Sequence, residues 1–329
     1  MTKVTALQRA SRPPRSRTPT RTSVFGNGKR ENHDASAFYR RFGAPTISSD
    51  EEVVPCPVPD TLWCADSRSL SFLPGNCIAL VVTSPPYFAG KEYEATLGEG
   101  HVPGNYLEYL DMLRDVFREC WRVLEPGGRI AVNVANLGRR PYRSLSGDVT
   151  SILQDDLGFL LRGEIVWVKG KGANGSCAWG SYASATNPVL RDVTERIVVA
   201  SKGRFDRALS ENKKRRRIER GLPYEDTISA EDFRAWTLDT WYFAPESAKR
   251  VGHPAPFPVE LPRRLIELFT FRGDAVLDPF AGACQVALAC IEADRRYVCV
   301  DIDRRYVKLS KDRIARHLKA IEKTAAATS

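Results

Sequence analysis

Two stretches decide the fold: Ile78-Ala79-Leu80-Val81-Val82-Thr83-Ser84-Pro85-Pro86-Tyr87, and, far along the chain, Ala275-Val276-Leu277-Asp278-Pro279-Phe280-Ala281-Gly282-Ala283-Cys284. Each opens as a short apolar run without polar alternation, as expected of a strand covered on both faces. The first run stops at two prolines and the second at an acid followed by small residues. Working outward, the pattern predicts strands near 77–83, 129–135, 162–168, 195–200, 275–278 and 297–302. Helices are predicted near 105–124, 147–157, 260–270, 283–293 and 304–322. Leu124-Glu125-Pro126-Gly127-Gly128-Arg129 reads as the punctuation between a helix and the next strand. Strands alternating with helices imply an α/β fold, a mostly parallel sheet with helices on both faces.

In such sheets ligands bind beyond the carboxyl ends of strands, where the strand order reverses. Ser84-Pro85-Pro86 has a stiff backbone poor in N–H donors, so its carbonyls are free to accept from a ligand amino group. Tyr87 adds a flat face for a planar ring. Taken alone, this segment also reads as an ordinary rigid turn. After Asp278 the turn into a helix offers backbone N–H groups to an anionic group. Tyr297-Val298-Cys299-Val300-Asp301 ends in a second acid, about 20 residues on, a spacing by which nucleotide-binding folds hold ribose hydroxyls. Gly170-Lys171-Gly172-Ala173-Asn174-Gly175 has the G-x-G-x-x-G spacing but sits in the Gly/Ser-rich stretch with no helix expected after it, and no phosphate-loop pattern occurs, which favours a nucleoside ligand without phosphates.

The 329 residues are 43% hydrophobic and 27% charged, an ordinary globular composition. Apolar runs are far shorter than the roughly 20 residues that span a bilayer, and no secretory leader is apparent, so a cytoplasmic protein is expected. The net charge of +9 is uneven: residues 1–30 hold eight Lys/Arg and no acid, leaving 41 basic against 40 acidic residues elsewhere. Residues 1–45 read as a disordered basic tail. A second basic cluster, Lys202 to Arg220, contains Lys213, Lys214, Arg215, Arg216 and Arg217. It precedes Phe233-Arg234-Ala235-Trp236 and Trp241-Tyr242-Phe243, a combination that points to nucleic-acid contact. The eight cysteines form no Cys-x-x-Cys pair and read as reduced core thiols, with no metal site expected. Residues 170–188, rich in Gly, Ser and Ala, read as a mobile loop.

Taken together, these residues resemble the permuted β class of S-adenosylmethionine-dependent DNA amino-methyltransferases, over about residues 60–320. Thr83-Ser84-Pro85-Pro86-Tyr87 matches that family's catalytic loop and Asp278-Pro279-Phe280-Ala281-Gly282 its cofactor loop, in the order of this class. The resemblance implies a Rossmann-like methyltransferase fold. It also implies a catalytic half over 46–202, an irregular target-recognition insertion over 203–250 that could begin near 170, and a cofactor-binding half over 251–329. It assigns Ser84, Pro85, Pro86 and Tyr87 to catalysis. To S-adenosylmethionine it assigns Asp66, Ser67, Thr83, His253, Phe257, Asp278, Pro279, Phe280, Gly282 and Asp301. Lys213 to Arg217 are the candidate DNA contacts. Three departures stand out: Ala283-Cys284-Gln285 replaces the usual Ser-Gly-Thr, Asp301 stands where Glu is frequent, and Ala65 replaces the usual Gly before Asp66.

Ser-Pro-Pro-Tyr is commoner among cytosine-N4 enzymes, whereas Asp or Asn at the first position is commoner among adenine-N6 enzymes. The resemblance therefore implies N4 methylation of double-stranded DNA by base flipping and direct displacement, with adenine N6 as the alternative. A cognate restriction endonuclease is the implied partner. Two other readings stay open: a non-catalytic nucleic-acid-binding protein with this fold, and an RNA or protein amino-methyltransferase. Pro55-Cys56 matches the nucleophile pair of cytosine-C5 enzymes, but lies before the first expected strand, without that family's other motifs, and reads as a linker.

Overall fold

The computed structural model describes residues 45–88, 103–137, 141–170, 180–190, 192–207, 211–253 and 256–328. Positions 1–44 of the tail read over 1–45 and positions 171–179 of the Gly/Ser-rich loop lie outside the described residues. Eight strands form one sheet: β1 Thr61–Cys64, β2 Ile78–Thr83, β3 Leu124–Val134, β4 Leu160–Val168, β5 Thr194–Ser201, β6 Thr240–Tyr242, β7 Ala275–Asp278 and β8 Arg296–Asp301. Their order is β1-β8-β7-β2-β3-β5-β4-β6. β5 runs antiparallel to β3 and β4, and the other pairings are parallel. The helices are α1 Tyr106–Val123, α2 Leu145–Ser151, α3 Glu211–Glu219, α4 Ala230–Trp236, α5 Ala248–Val251, α6 Glu260–Phe269, α7 Gln285–Glu292 and α8 Arg304–Thr328.

Strand side chains alternate between two cores, one on each face. Ile78 and Val81 of β2, Ile130 and Val132 of β3, and Val298 and Val300 of β8 pack with Leu113, Val116 and Phe117 of α1. Leu80, Val82, Ala131 and Cys299 pack on the other face with Leu265 of α6 and Val286 of α7. Every residue of β2 is buried, which explains its unbroken apolar sequence. Helix α1 starts where the Asn105 side chain accepts from the backbone N–H groups of Leu107 and Glu108. Its buried residues Tyr109, Leu113, Val116, Phe117 and Cys120 follow helical spacing, so the stripe facing the sheet is set by sequence.

Three features differ from the expectation. The Pro/Gly punctuation is part of β3: Leu124 already pairs with Ile78, and the register slips before Arg129 pairs with Leu80. Gly127 permits this at φ +76°, where a Cβ would lie 2.0 Å from the Asp206 carbonyl oxygen. Strands β1 and β6, at opposite edges of the sheet, are additional. Helices α3 and α4 occupy the stretch read as irregular, and residues 46–329 form one compact unit that includes it. Among the described residues no helix is long and apolar enough to cross a membrane.

Candidate active site

The chain leaves β7 toward β8 and β2 toward β3, in opposite directions along the sheet, which opens a crevice between the carboxyl ends of β7 and β2. The loops after these two strands line a cleft open to solvent. Of the residues assigned from sequence, Ser84, Pro85, Pro86, Tyr87, Asp66, Ser67, His253, Pro279, Phe280, Gly282 and Asp301 meet on its walls.

At one end, Asp301 closes β8. Its Oδ2 accepts from the Gly282 N–H at 2.7 Å and its Oδ1 from the Asp303 N–H at 2.8 Å. Burial raises its carboxyl to about 6, despite those two bonds. Gly282 has φ +49°, and a Cβ there would stand 2.9 Å from His253 Nε2, so only glycine lets the loop pass beneath the imidazole. His253 packs edge-on against Tyr306, and burial, assisted by the Arg313 charge, lowers its pKa to about 4. The imidazole is therefore neutral. Ser310 Oγ donates to the Gly282 carbonyl at 2.8 Å, tying the loop to α8.

Three residues assigned to the cofactor stand behind the cleft wall. Thr83 and Asp278 are fully buried, with Thr83 Oγ1 donating to Asp278 Oδ1 at 2.8 Å; the Phe280 N–H donates to the same oxygen at 3.1 Å. Together they lock the β2 loop to the β7 loop. Burial pushes the Asp278 carboxyl up to about 7. Phe257 packs against the core beside α6, and its carbonyl accepts from Gln285 Nε2 at 2.8 Å. Cys284, in the place of the usual glycine, takes the left-handed conformation at φ 58°. Its side chain is wholly buried in the core and off the cleft, so the backbone path of the loop survives the replacement. Cys56 is also off the cleft, packed near Cys77 at the amino end of β2.

Other lining residues were not legible. Arg68 pairs with Asp66 at 2.6 Å, Tyr306 comes from the first turn of α8, and Met112 and Val116 project from α1. The last two share the i, i+4 spacing of core residues, so no local signal separates wall from core. Beneath the Ser84 to Tyr87 loop, Glu195 accepts from Asn133 Nδ2 at 2.6 Å and from Lys169 Nζ at 3.0 Å. A lone acid on a strand carries no motif.

The basic cluster divides. Lys214, Arg215 and Arg216 are exposed on α3, and the Lys213 side chain lies outside the described residues. Arg217 is buried, with its guanidinium near Glu125 and Asp274, and this corrects its assignment as a DNA contact. Trp236 and Trp241 are core residues stacked by Arg264, which leaves Phe233 and Tyr242 as the exposed aromatics of their segments.

The residues present fit S-adenosylmethionine. The partly buried Asp301 carboxylate offers an acceptor to hydroxyl groups, Met112, Phe280 and Tyr306 give apolar walls, and the Arg68 charge on the cleft is already paired by Asp66.

Comparison with known proteins agrees. A type II methyltransferase of Haemophilus parainfluenzae, M.HpaI, is 27% identical over 254 residues, covering 77% of this chain and 73% of its own. M.MjaVI, a type II methyltransferase of Methanocaldococcus jannaschii, is 29% identical over 180 residues, covering 54% of this chain and 83% of its own. Among solved structures, a Thermus thermophilus protein described as a DNA modification methylase, in complex with S-adenosyl-L-methionine, superposes with a TM-score of 0.59. It shares 29% identity over 78% of this chain and 93% of its own. The PvuII cytosine-N4-specific DNA methyltransferase, 20% identical, shares the fold with a TM-score of 0.56 over 79% of this chain and 89% of its own. The family model for N6/N4 DNA methylases matches residues 78–312, which contain both loops, and the chain belongs to that family.

Proposed function

We propose that the protein is a site-specific DNA methyltransferase that modifies the exocyclic N4 of cytosine in double-stranded DNA. The observation that carries this reading is the meeting of Ser84 and Pro85 with Asp301 on one cleft, so that an acceptor pair for an amino group adjoins a nucleoside site. S-adenosylmethionine, when bound, supplies an electrophilic methyl group. Asp301 accepts from the ribose hydroxyls. The target amino group lies on the base-pairing edge, so the base rotates out of the duplex to reach the cleft. Tyr87 then stacks on the ring. Ser84 Oγ and the Pro85 carbonyl accept from the amino N–H groups and favour a tetrahedral nitrogen with an available lone pair.

The serine that opens Ser84-Pro85-Pro86-Tyr87 supports cytosine as the target. The type II relatives support action at a defined DNA word, with a restriction endonuclease of the same specificity as partner. Lys213, Lys214, Arg215 and Arg216 supply contacts to DNA phosphates. The test is to incubate the protein with S-adenosylmethionine and unmethylated duplex DNA, digest to nucleosides and analyse by mass spectrometry. N4-methyldeoxycytidine is expected. N6-methyldeoxyadenosine overturns the base assignment, and no methylated nucleoside across DNAs of varied sequence overturns the function.

A further inference from the structure

Among the described residues, Arg68 is the one side chain on the cleft wall with a permanent positive charge. The other basic group there, His253, is neutral, because burial lowers its pKa to about 4. Two carboxylates, Asp66 and Asp301, share the wall with Arg68. The guanidinium is turned onto the first of them, with Nε 3.0 Å and Nη2 2.6 Å from Asp66 Oδ2.

The segment that carries this pair is fixed independently of the guanidinium. The Ala65 N–H donates to the Asp301 carbonyl at 3.1 Å, and the buried Ser67 Oγ donates to the Pro279 carbonyl at 2.7 Å, so the ends of β7 and β8 both hold it. The Arg68 backbone N–H donates to Asp66 Oδ1 at 2.9 Å, which keeps the carboxylate in place if the Arg68 side chain turns away. The side chains of Arg68 and Asp66 are 42% and 35% exposed. An ion pair so open to water contributes little to stability, and exchanging one carboxylate partner for another costs little. A guanidinium takes either one through paired N–H donors.

S-adenosylmethionine, when bound, brings a single carboxylate beside an α-ammonium and a sulfonium. Its amino-acid end is a zwitterion, the complement of an Asp–Arg pair. Asp301 repels the carboxylate, and Met112, Phe280 and Tyr306 offer it no charge. We infer that Arg68 recognises the carboxylate of the methyl donor, giving up Asp66 for it, while Asp66 accepts from the ammonium. This rests on the cleft being the cofactor site. It makes Arg68 a specificity-determining residue, since a ligand with the same adenosine and sulfur but no carboxylate gains nothing from it.

Isothermal titration of the full chain with three probes tests the assignment. The probes are S-adenosylmethionine, its decarboxylated analogue, which keeps the amine and the sulfonium, and 5′-methylthioadenosine, which lacks the amino-acid end. Arg68→Met is expected to weaken S-adenosylmethionine binding by about 10- to 100-fold, the scale of a hydrogen bond to a charged group, and the decarboxylated analogue should bind no more weakly than before. Asp66→Asn should weaken both of these ligands alike. Methylthioadenosine should bind the variants as it binds the wild type, which shows that they are folded. Arg68→Lys keeps the charge without the paired donors and should fall between wild type and Arg68→Met, for S-adenosylmethionine alone. Equal losses for S-adenosylmethionine and the decarboxylated analogue in Arg68→Met, or no loss for either, overturn the proposal. A loss common to all three probes in both Arg68 variants overturns it in favour of a structural role. If the wild-type protein binds none of the probes, the reading of the cleft as the cofactor site fails instead.

Discussion

Asp301 and Asp278 are the residues whose environments depart furthest from those of a free carboxylate. Burial lifts their carboxyls from 3.8 to about 6 and about 7. Between those values the folded protein holds protons that the unfolded chain has released. The stability contributed by the protonated forms is therefore fully present below the unfolded value and is lost as pH rises through about 6 and then about 7. The cofactor-free protein is expected to raise its urea midpoint as pH falls from above 7 toward about 5, and Asp301→Asn should flatten part of that slope. Cofactor affinity moves the other way, because the ionised carboxylate accepts ribose hydroxyls better. Isothermal titration should show S-adenosylmethionine binding tighten as pH rises through about 6, with no such dependence in Asp301→Asn. Asp301→Ala should weaken binding about 10-fold or more, the worth of a hydrogen bond to a charged group. Ser84→Ala should instead lower turnover by about 100-fold and leave cofactor affinity intact.

At the scale of elements, the stretch from Lys202 to Pro223 is held to the sheet by buried charge. Arg207 Nε donates to Glu125 Oε1 at 2.6 Å, and its Nη1 lies 2.7 Å from Asp274 Oδ2 and donates to the Phe269 carbonyl. Arg217 reaches the same two acids from α3, and both guanidiniums face the Phe271 ring. These contacts join Arg207 and α3 to the starts of β3 and β7. Arg207→Ala removes the closer of two partners from both buried carboxylates, leaving Arg217 at 3.4 and 3.6 Å, and should cost about 3 kcal/mol in urea denaturation, with a smaller loss for exposed Arg216→Ala. The charge run in the sequence thus divides into buried and exposed members that its composition could not separate. Strands β1 and β6 escaped the sequence for a related reason. Thr61–Cys64 and Thr240–Tyr242 are too short to show periodicity, and their strand character comes from pairing with β8 and β4.

For the whole molecule, charge is expected to govern DNA affinity more than the choice of DNA word. Lys214→Ala and Arg215→Ala should each weaken binding about equally across sequences and lower the slope of log K against log salt by about 1, measured by fluorescence anisotropy at several salt concentrations. The sequence by itself determined the alternation of strands and helices, the apolar faces and the two loops at Ser84 and Asp278. Each of these is a local pattern, written in the period of the backbone or in the stiffness of proline and the freedom of glycine. The tertiary structure alone decided that Thr83, Asp278 and Phe257 stand behind the cleft while Arg68, Met112 and Tyr306 line it. It also decided that Arg217 and Trp241 turn inward and that Glu195 reaches Tyr87. Those outcomes depend on which strands become neighbours across a reversed sheet order. Residues 84 and 301 are brought onto one cleft by that order, and no local spacing along the chain encodes it.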